Sequence, residues 1–254
     1  MKYAVVTGAS SGLGADFARN LSARGYGLIL VARREDRLKA LAEELSTPVE
    51  IFTADLSRRE ECERLGEFIN GFKVTIFINN AGFGDCGSFV SSDIKKEMQM
   101  IDVNVTALHI LSKIALKQME KNDERSYLLN VGSSAGILPA GPYMATYYAS
   151  KAYVVSLSQA IACELQEARS NVSISVLCPG PVKTEFNDVA NVNFSLPGIS
   201  SKRCTSYALS QMFKKKTVIV PGPMMKLAGL VSRILPRKIC IKITGMQQKK
   251  KLHG

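Results

Sequence analysis

Lys2-Tyr3-Ala4-Val5-Val6-Thr7 is a short β-rich run that leads directly into Gly8-Ala9-Ser10-Ser11-Gly12-Leu13-Gly14, and Ala15-Asp16-Phe17-Ala18-Arg19-Asn20-Leu21 follows at helical spacing. Strand, glycine turn and helix in that order open a dinucleotide-binding fold. Each glycine has a separate task. Gly8 makes the tight turn, Gly12 lets backbone approach a pyrophosphate, and Gly14 lets the helix pack close to the strand. The helix N-terminus then faces the phosphates, with Ser10, Ser11 and Leu13 supplying the rest of the loop. The spacing is Gly-x3-Gly-x-Gly, and no Lys-Ser/Thr follows as a P-loop requires, so a kinase or ATPase reading is excluded.

Working outward, the same alternation continues to the end of the chain. Residues 26–32 and 49–53 read as strands two and three, Val74-Thr75-Ile76-Phe77-Ile78 as a charge-free fourth, and 126–131, 172–177 and 218–220 as strands five to seven. Helical patterns lie between them at 35–45, 58–72, 92–121 and 147–169. Charge-free strands belong to a parallel sheet buried on both faces. The expected fold is therefore α/β: a single doubly wound Rossmann-type domain with a mostly parallel seven-stranded sheet. At 254 residues and 46% hydrophobic content the chain can bury one large core. The six cysteines are scattered without a Cys-x2-Cys pair, so neither zinc nor a disulfide framework is indicated. With no secretory signal pattern at the N-terminus, a cytoplasmic setting is expected.

In such a sheet, ligands bind beyond the carboxyl ends of the strands, and that is where the unusual residues collect. They are the glycine loop, Arg33-Arg34, Asp55-Leu56, Asn79-Asn80-Ala81-Gly82, Ser133-Ser134 and Pro179-Gly180-Pro181-Val182-Lys183-Thr184. An acid at the end of strand two accepts the ribose hydroxyls of NAD, whereas a cation suits the 2′-phosphate of NADP. Val31-Ala32-Arg33-Arg34 has no acid, which favours NADP(H), with Arg33 preferred over Arg34 as the phosphate ligand. Asp55 suits either the adenine amino group or a turn before the next helix. Asn80, Ala81 and Gly82 offer a small, polar surface for a cofactor sugar, or a plain turn.

Tyr147 and Lys151 stand four residues apart in a helical stretch and so share a helix face. A free phenol titrates near pH ~10, and a fixed ammonium a few ångströms away favours the phenolate, which is a device for moving a proton near neutral pH. Asn104 is polar in an apolar helical stretch, and if buried it must bond something. It could distort the helix or hold a water near the Tyr147/Lys151 pair. His109 reads as a helix-face residue rather than a catalyst.

These residues together resemble the short-chain dehydrogenases/reductases, over the whole chain and most specifically over residues 1–187, and within them a bacterial ketoreductase-like group. The resemblance implies Tyr147 as general acid/base, Lys151 as the group that lowers its pKa and holds the nicotinamide ribose, and Asn104 as part of a water relay. It implies further that Pro179, Gly180, Val182 and Thr184 border the nicotinamide. The family serine usually lies 13 residues before the tyrosine, which selects Ser134, but the local pattern Asn130-Val131-Gly132-Ser133-Ser134-Ala135-Gly136 selects Ser133. Ser133 is preferred because a strand end fixes geometry more firmly than a loop length, and Ser134 stays open. The implied reaction is hydride transfer between a nicotinamide and a carbonyl or secondary alcohol.

The net charge of +11 is uneven. Residues 1–188 hold 20 Lys and Arg against 22 Asp and Glu, while Val189–Gly254 holds 13 basic residues and no acid. Residues 186–215, with Phe186, Phe194, Leu196, Tyr207, Met212 and Phe213, are the expected substrate lid. Residues 223–254 read as a basic helical extension with Leu227, Leu230, Val231, Ile234 and Leu235 on one side. That extension suits an anionic membrane surface or packing against protein, and its charges and prolines do not suit a span. Nucleic-acid binding is not expected, because no aromatic residues interleave with the lysines. The expected partners are a small carbonyl or alcohol substrate and further copies of the chain in a homo-oligomer. The alternative to an enzyme is a cofactor-binding regulator or membrane-surface scaffold of the same fold without turnover.

Overall fold

The computed structural model describes residues 1–186 and 198–252. Six strands alternate with helices along the chain: β1 (Tyr3–Thr7), β2 (Gly27–Ala32), β3 (Val49–Thr53), β4 (Val74–Asn79), β5 (Ser126–Val131) and β6 (Val172–Leu177). Two short strands, β7 (Val182–Lys183) and β8 (Ile199–Ser200), pair with each other apart from the main sheet, and β9 (Val218–Ile219) returns to its edge. The main sheet has the order β3-β2-β1-β4-β5-β6-β9, and each neighbouring pair is parallel. The expected seven-stranded doubly wound sheet is therefore present, with its topological switch between β1 and β4, at the glycine turn.

Alternation along β1 shows how the sheet is covered. Ala4 and Val6 pack into one apolar layer and Val5 into the other, with all three fully buried. The first layer is completed by α1 (Gly12–Ser22) and α2 (Glu35–Glu43), the second by α3 (Arg59–Ile69). Phe17 and Leu21 of α1 and Leu65 and Ile69 of α3 lie at helical spacing and are fully buried. Each such side chain contributes about 1.5–3 kcal/mol by leaving water. At the sheet edge β3 carries Glu50 and is only half-buried, as an edge strand permits.

The long pattern at 92–121 resolves into α4 (Ile94–Ile101), a π-helical segment (Asp102–Ala107) and α5 (Leu108–Met119), running without a break. Asp93 caps α4 by accepting from the Lys95 amide. Next come α6 (Ala145–Glu167), α7 (Ser201–Phe213), α8 (Pro223–Ile234) and α9 (Arg237–Leu252). Proline at the first position of α8 costs no hydrogen bond there.

α7 corrects the lid expectation for residues 201–213 alone. Cys204, Ala208 and Met212 repeat at four-residue spacing and are fully buried against α1 and the sheet, and Phe213 packs edge-on to Tyr127. These apolar residues are core because α7 is one of the helices that cover the sheet. Phe194 and Leu196 lie outside the described residues.

Candidate active site

The carboxyl ends of the strands open into a single large cavity of about 1660 Å³. Ligand pockets of ~300–1,000 Å³ are usual, so this one has room for a dinucleotide and a second molecule. Its polar wall is the set of loops picked out from sequence. Gly8, Ser10, Ser11, Gly12 and Leu13 line it, as do Arg33, Asp55, Leu56, Asn80, Ala81 and Gly82. Across from them stand Ser133, Tyr147, Lys151, Pro179, Gly180, Val182 and Thr184.

Gly8 and Gly12 adopt positive φ of 65° and 54°, conformations that side chains resist. Gly14 stands off the cavity wall, inside α1, where a Cβ would come 2.1 Å from the Gly8 carbonyl oxygen. The turn is held from β4: Asn80 Nδ2 donates to the carbonyls of Thr7 and Gly8 at 2.9 and 3.2 Å, and Thr7 Oγ1 accepts from the amides of Asn80 and Ala81. The first turn of α1 holds no acid, so its amide dipoles meet an anion unopposed. A glycine-walled turn at an open helix N-terminus fits a pyrophosphate.

At the end of β2, Arg33 is exposed on the wall while Arg34 turns back over the turn. The Arg34 guanidinium donates to Ser10 and Ser11 hydroxyls at 2.9–3.2 Å and to Glu185 at 3.2 Å. Arg37 binds the same carboxylate at 2.6 Å and with Arg34 holds the Glu185 carboxyl below its ordinary range. Arg33 and Arg34 thus both border the place for which the sequence preferred Arg33, and Glu185, which lines the same wall, carried no sequence signal. Asp55 resolves in part as a turn residue: its Oδ1 accepts from the amide and hydroxyl of Ser57.

Ser133 follows β5 in extended backbone, its hydroxyl accepting from the Ala135 amide and lying near enough to the Tyr147 phenol to lower its pKa. The Ser134 amide is tied to the Pro179 carbonyl at 2.8 Å. α6 presents Tyr147 and Lys151 on one face, both buried, with Lys151 Nζ 5.9 Å from the centre of the Tyr147 ring. Lys151 Nζ donates to the Val131 carbonyl at 2.9 Å. The close approach of α6 depends on Gly136, where a Cβ would stand 2.3 Å from the Lys151 carbonyl oxygen.

The phenol is where the sequence expectation needs correction. Burial dominates and pushes Tyr147 up to about 12, with the Ser133 hydrogen bond pulling back down. Lys151 is only 4% exposed, and the loss of hydration pulls its ammonium down to about 8. Reading two residues on a helix face could not reveal this depth. The burial has a measurable consequence. Below pH 8 the folded state bears the full cost of burying the charge, and between pH 8 and 10.5 only the unfolded chain still holds the proton. Stability relative to a variant lacking the amine therefore rises with pH across that window. Lys151→Met is expected to be about 1–3 kcal/mol more stable than the parent at pH 7, with the advantage gone near pH 10.5. Urea unfolding of both proteins at several pH values measures this, and a pH-independent difference contradicts it.

Asn104 is fully buried behind the wall and does not border the cavity. Its Oδ1 accepts from the Phe83 amide at 3.1 Å, and its Nδ2 donates to the Phe83 carbonyl and the Ser150 hydroxyl at 2.8 and 3.1 Å. The side chain lies inside the π segment and shapes the turn at Gly82, so the expected helix distortion is present. His109 is on an exposed helix face, 2.7 Å from the Tyr153 hydroxyl.

The apolar wall comes mostly from parts that sequence left to a tail. Met225, Ala228 and Ser232 of α8 and Thr244 and Gln248 of α9 face the cavity, together with Phe186. Gln248 Nε2 donates to the buried Tyr148 hydroxyl at 2.7 Å. The signal was present as a second face of α8, at 225, 228 and 232, beside the face formed by 227, 230 and 234.

Residues 2–193 match the family described as short chain dehydrogenase. The chain belongs to that family. Among short-chain dehydrogenases of known structure, it superposes on one from Sphingobium yanoikuyae in complex with NADPH with a TM-score of 0.82. That pair is 28% identical over 92% of this chain and 94% of the other. A short chain dehydrogenase/reductase from Burkholderia phymatum in complex with NAD gives 0.82 at 25% identity, over 90% and 92% of the two chains. A very-long-chain 3-oxoacyl-CoA reductase of Meyerozyma guilliermondii is 38% identical over 210 residues, 77% of this chain and 61% of that one. The chain spans about 60% of the length of the very-long-chain 3-oxoacyl-CoA reductases it matches.

Proposed function

We propose that this short-chain dehydrogenase is an NADP(H)-dependent oxidoreductase that interconverts a carbonyl and a secondary alcohol on an apolar substrate, with a 3-oxoacyl thioester as the favoured class. The observation that carries this is the convergence of Ser133, Tyr147 and Lys151 on one cavity whose other end is the glycine turn. Ser10, Ser11, Gly12 and Leu13 with the α1 N-terminus would hold the cofactor pyrophosphate, Arg33 and Arg34 a 2′-phosphate, and Asp55 and Leu56 the adenine. Asn80, Ala81, Gly82 and Lys151 would hold the nicotinamide-side sugar, while Pro179, Gly180, Val182 and Thr184 border the ring. When bound, the nicotinamide supplies or accepts the hydride. Tyr147 gives its hydroxyl proton to the substrate oxygen, and Ser133 stabilises charge on that oxygen as it develops. Lys151 offsets the negative charge left on the phenol, so the pair acts as a proton donor although burial holds each group neutral more readily than water would.

Substrate class rests on the apolar wall from α8 and α9 and on the identity shared with the Meyerozyma guilliermondii reductase. The proposed preference for NADP(H) rests on the cationic end of β2. Arg33→Ala/Arg34→Ala is expected to raise KM for NADPH about 10–100-fold, the loss of charged hydrogen bonds worth ~1.5–3 kcal/mol, with KM for NADH changed less than threefold. Equal effects on both cofactors would remove the 2′-phosphate assignment. The function itself is tested by following NADPH absorbance against a panel of ketones, including 3-oxoacyl thioesters of increasing chain length. Oxidation that strengthens with chain length supports the reading, and binding of NADPH without turnover on any carbonyl would favour a scaffold.

A further inference from the structure

From α8 onward the chain has an unusual surface. Leu227, Leu230 and Ile234 repeat along α8 and are 61%, 56% and 78% exposed. Ile239, Ile243 and Met246 form a second exposed stripe on α9. Lys226, Arg233, Arg237, Lys238 and Lys242 are exposed beside these stripes. No Asp or Glu occurs from Val189 to Gly254. Apolar residues open to water and flanked by one sign of charge need an occupant that is both apolar and anionic.

We propose that α8 and α9 dock the protein on an anionic lipid surface, with the apolar stripes in the acyl boundary and the flanking cations at the headgroups. Charge complementarity selects this occupant over a second copy: a symmetric self-contact would bring two acid-free, cationic faces together. Long Lys and Arg stems let the charge reach headgroups while the stripes stay buried. Among the described residues no helix is long and apolar enough to cross a membrane, so contact is at the surface. The docking face also runs into the cavity. Met224 and Val231 are exposed and line it, and Met225, Ala228 and Ser232 continue the same helix inward. Resting on the proposed function, the site therefore opens beside the lipid, where an acyl chain can pass from bilayer to cavity without crossing water.

The test is pelleting of the full chain with vesicles of phosphatidylcholine alone and of phosphatidylcholine mixed with phosphatidylserine. Binding at least tenfold tighter to the mixed vesicles and weakened by salt is expected. Leu227→Glu/Leu230→Glu/Ile234→Glu, at positions off the cavity wall, is expected to stay in the supernatant while reducing a water-soluble ketone at the parental rate. The proposal is overturned if the parent fails to pellet, if it binds neutral vesicles equally, or if the triple variant still pellets. It is overturned as well if sedimentation shows that the substitutions dissociate an oligomer, which would make the face a protein interface. Pelleting needs no turnover, so this outcome is independent of whether a carbonyl substrate is found.

Discussion

Replacing Tyr147 with phenylalanine lowers turnover of any reducible ketone by about 10³-fold, within the 10²–10⁴ range of general acid–base catalysis, or roughly 4 kcal/mol of barrier. NADPH affinity changes less than threefold. The expectation is specific because the substitution removes one oxygen and keeps the ring, which packs 5.6 Å from Phe186 and edge-on to Tyr148. What is lost is the hydroxyl on the Ser133 side of the cavity, in a pocket buried enough to push its pKa up to about 12. Steady-state rates paired with a fluorescence titration of NADPH separate chemistry from binding. Retained turnover would show that the proton comes from elsewhere. Loss of NADPH binding would show that the ring, and not the proton, was the essential part.

Gly14→Ala has the second large effect, through backbone rather than chemistry. Its new methyl would stand 2.1 Å from the Gly8 oxygen, 2.7 Å from the Gly8 carbonyl carbon and 2.8 Å from Asn80 Nδ2. None of these is the free end of a flexible side chain. Gly8 is already at φ 65° and is bonded from Asn80, so the turn cannot retreat without breaking the β1–β4 link. Overpacking of this kind costs ~1–3 kcal/mol of stability, and NADPH binding is expected to weaken at least tenfold because the displaced turn is the phosphate cradle. Gly87→Ala, where a Cβ meets nothing within 4 Å, is the matched control and should be close to neutral. Thermal unfolding and NADPH titration of both variants decide it. A Gly14→Ala protein with parental affinity would contradict the assignment of this turn.

The sheet and the polar half of the cavity were legible because both follow from local rules. Strands buried on both faces shed charge, and Tyr3–Thr7 and Val74–Asn79 show this directly. Loop residues at strand ends must gather at one edge of a parallel sheet, which is why Asp55, Asn80, Ser133 and Pro179 could be grouped without coordinates. The apolar half was not legible for an equally physical reason. A helix of leucines and methionines records that it has an apolar face but not what covers it, so Met212 in the core and Met225 on the cavity wall look alike in sequence. Depth was hidden too. That Lys151 is drawn into a dehydrated position depends on the fit of α6 against Gly136, 15 residues earlier, and no spacing rule carries that information. Ser133 and Ser134 both line the cavity, so the preference for Ser133 still rests on the strand-end argument. Arg34 and Glu185 are 151 positions apart, and their pairing across the cavity mouth had no sequence signature.

The π segment at Asp102–Ala107 accommodates one surplus amino acid without a loop, so the helix crosses the site with its axis unbroken but its phase advanced. Everything before it, including Met100 in the pocket beneath Phe83, is set by one angular register, and everything after it, from Leu108 to Met119, by another. The same rod can thereby lay α5 flat on the sheet while aiming a carboxamide at the Phe83 backbone. A single-residue deletion there would leave a longer, more regular helix and a misaligned one, forcing the protein to choose between its core and its site.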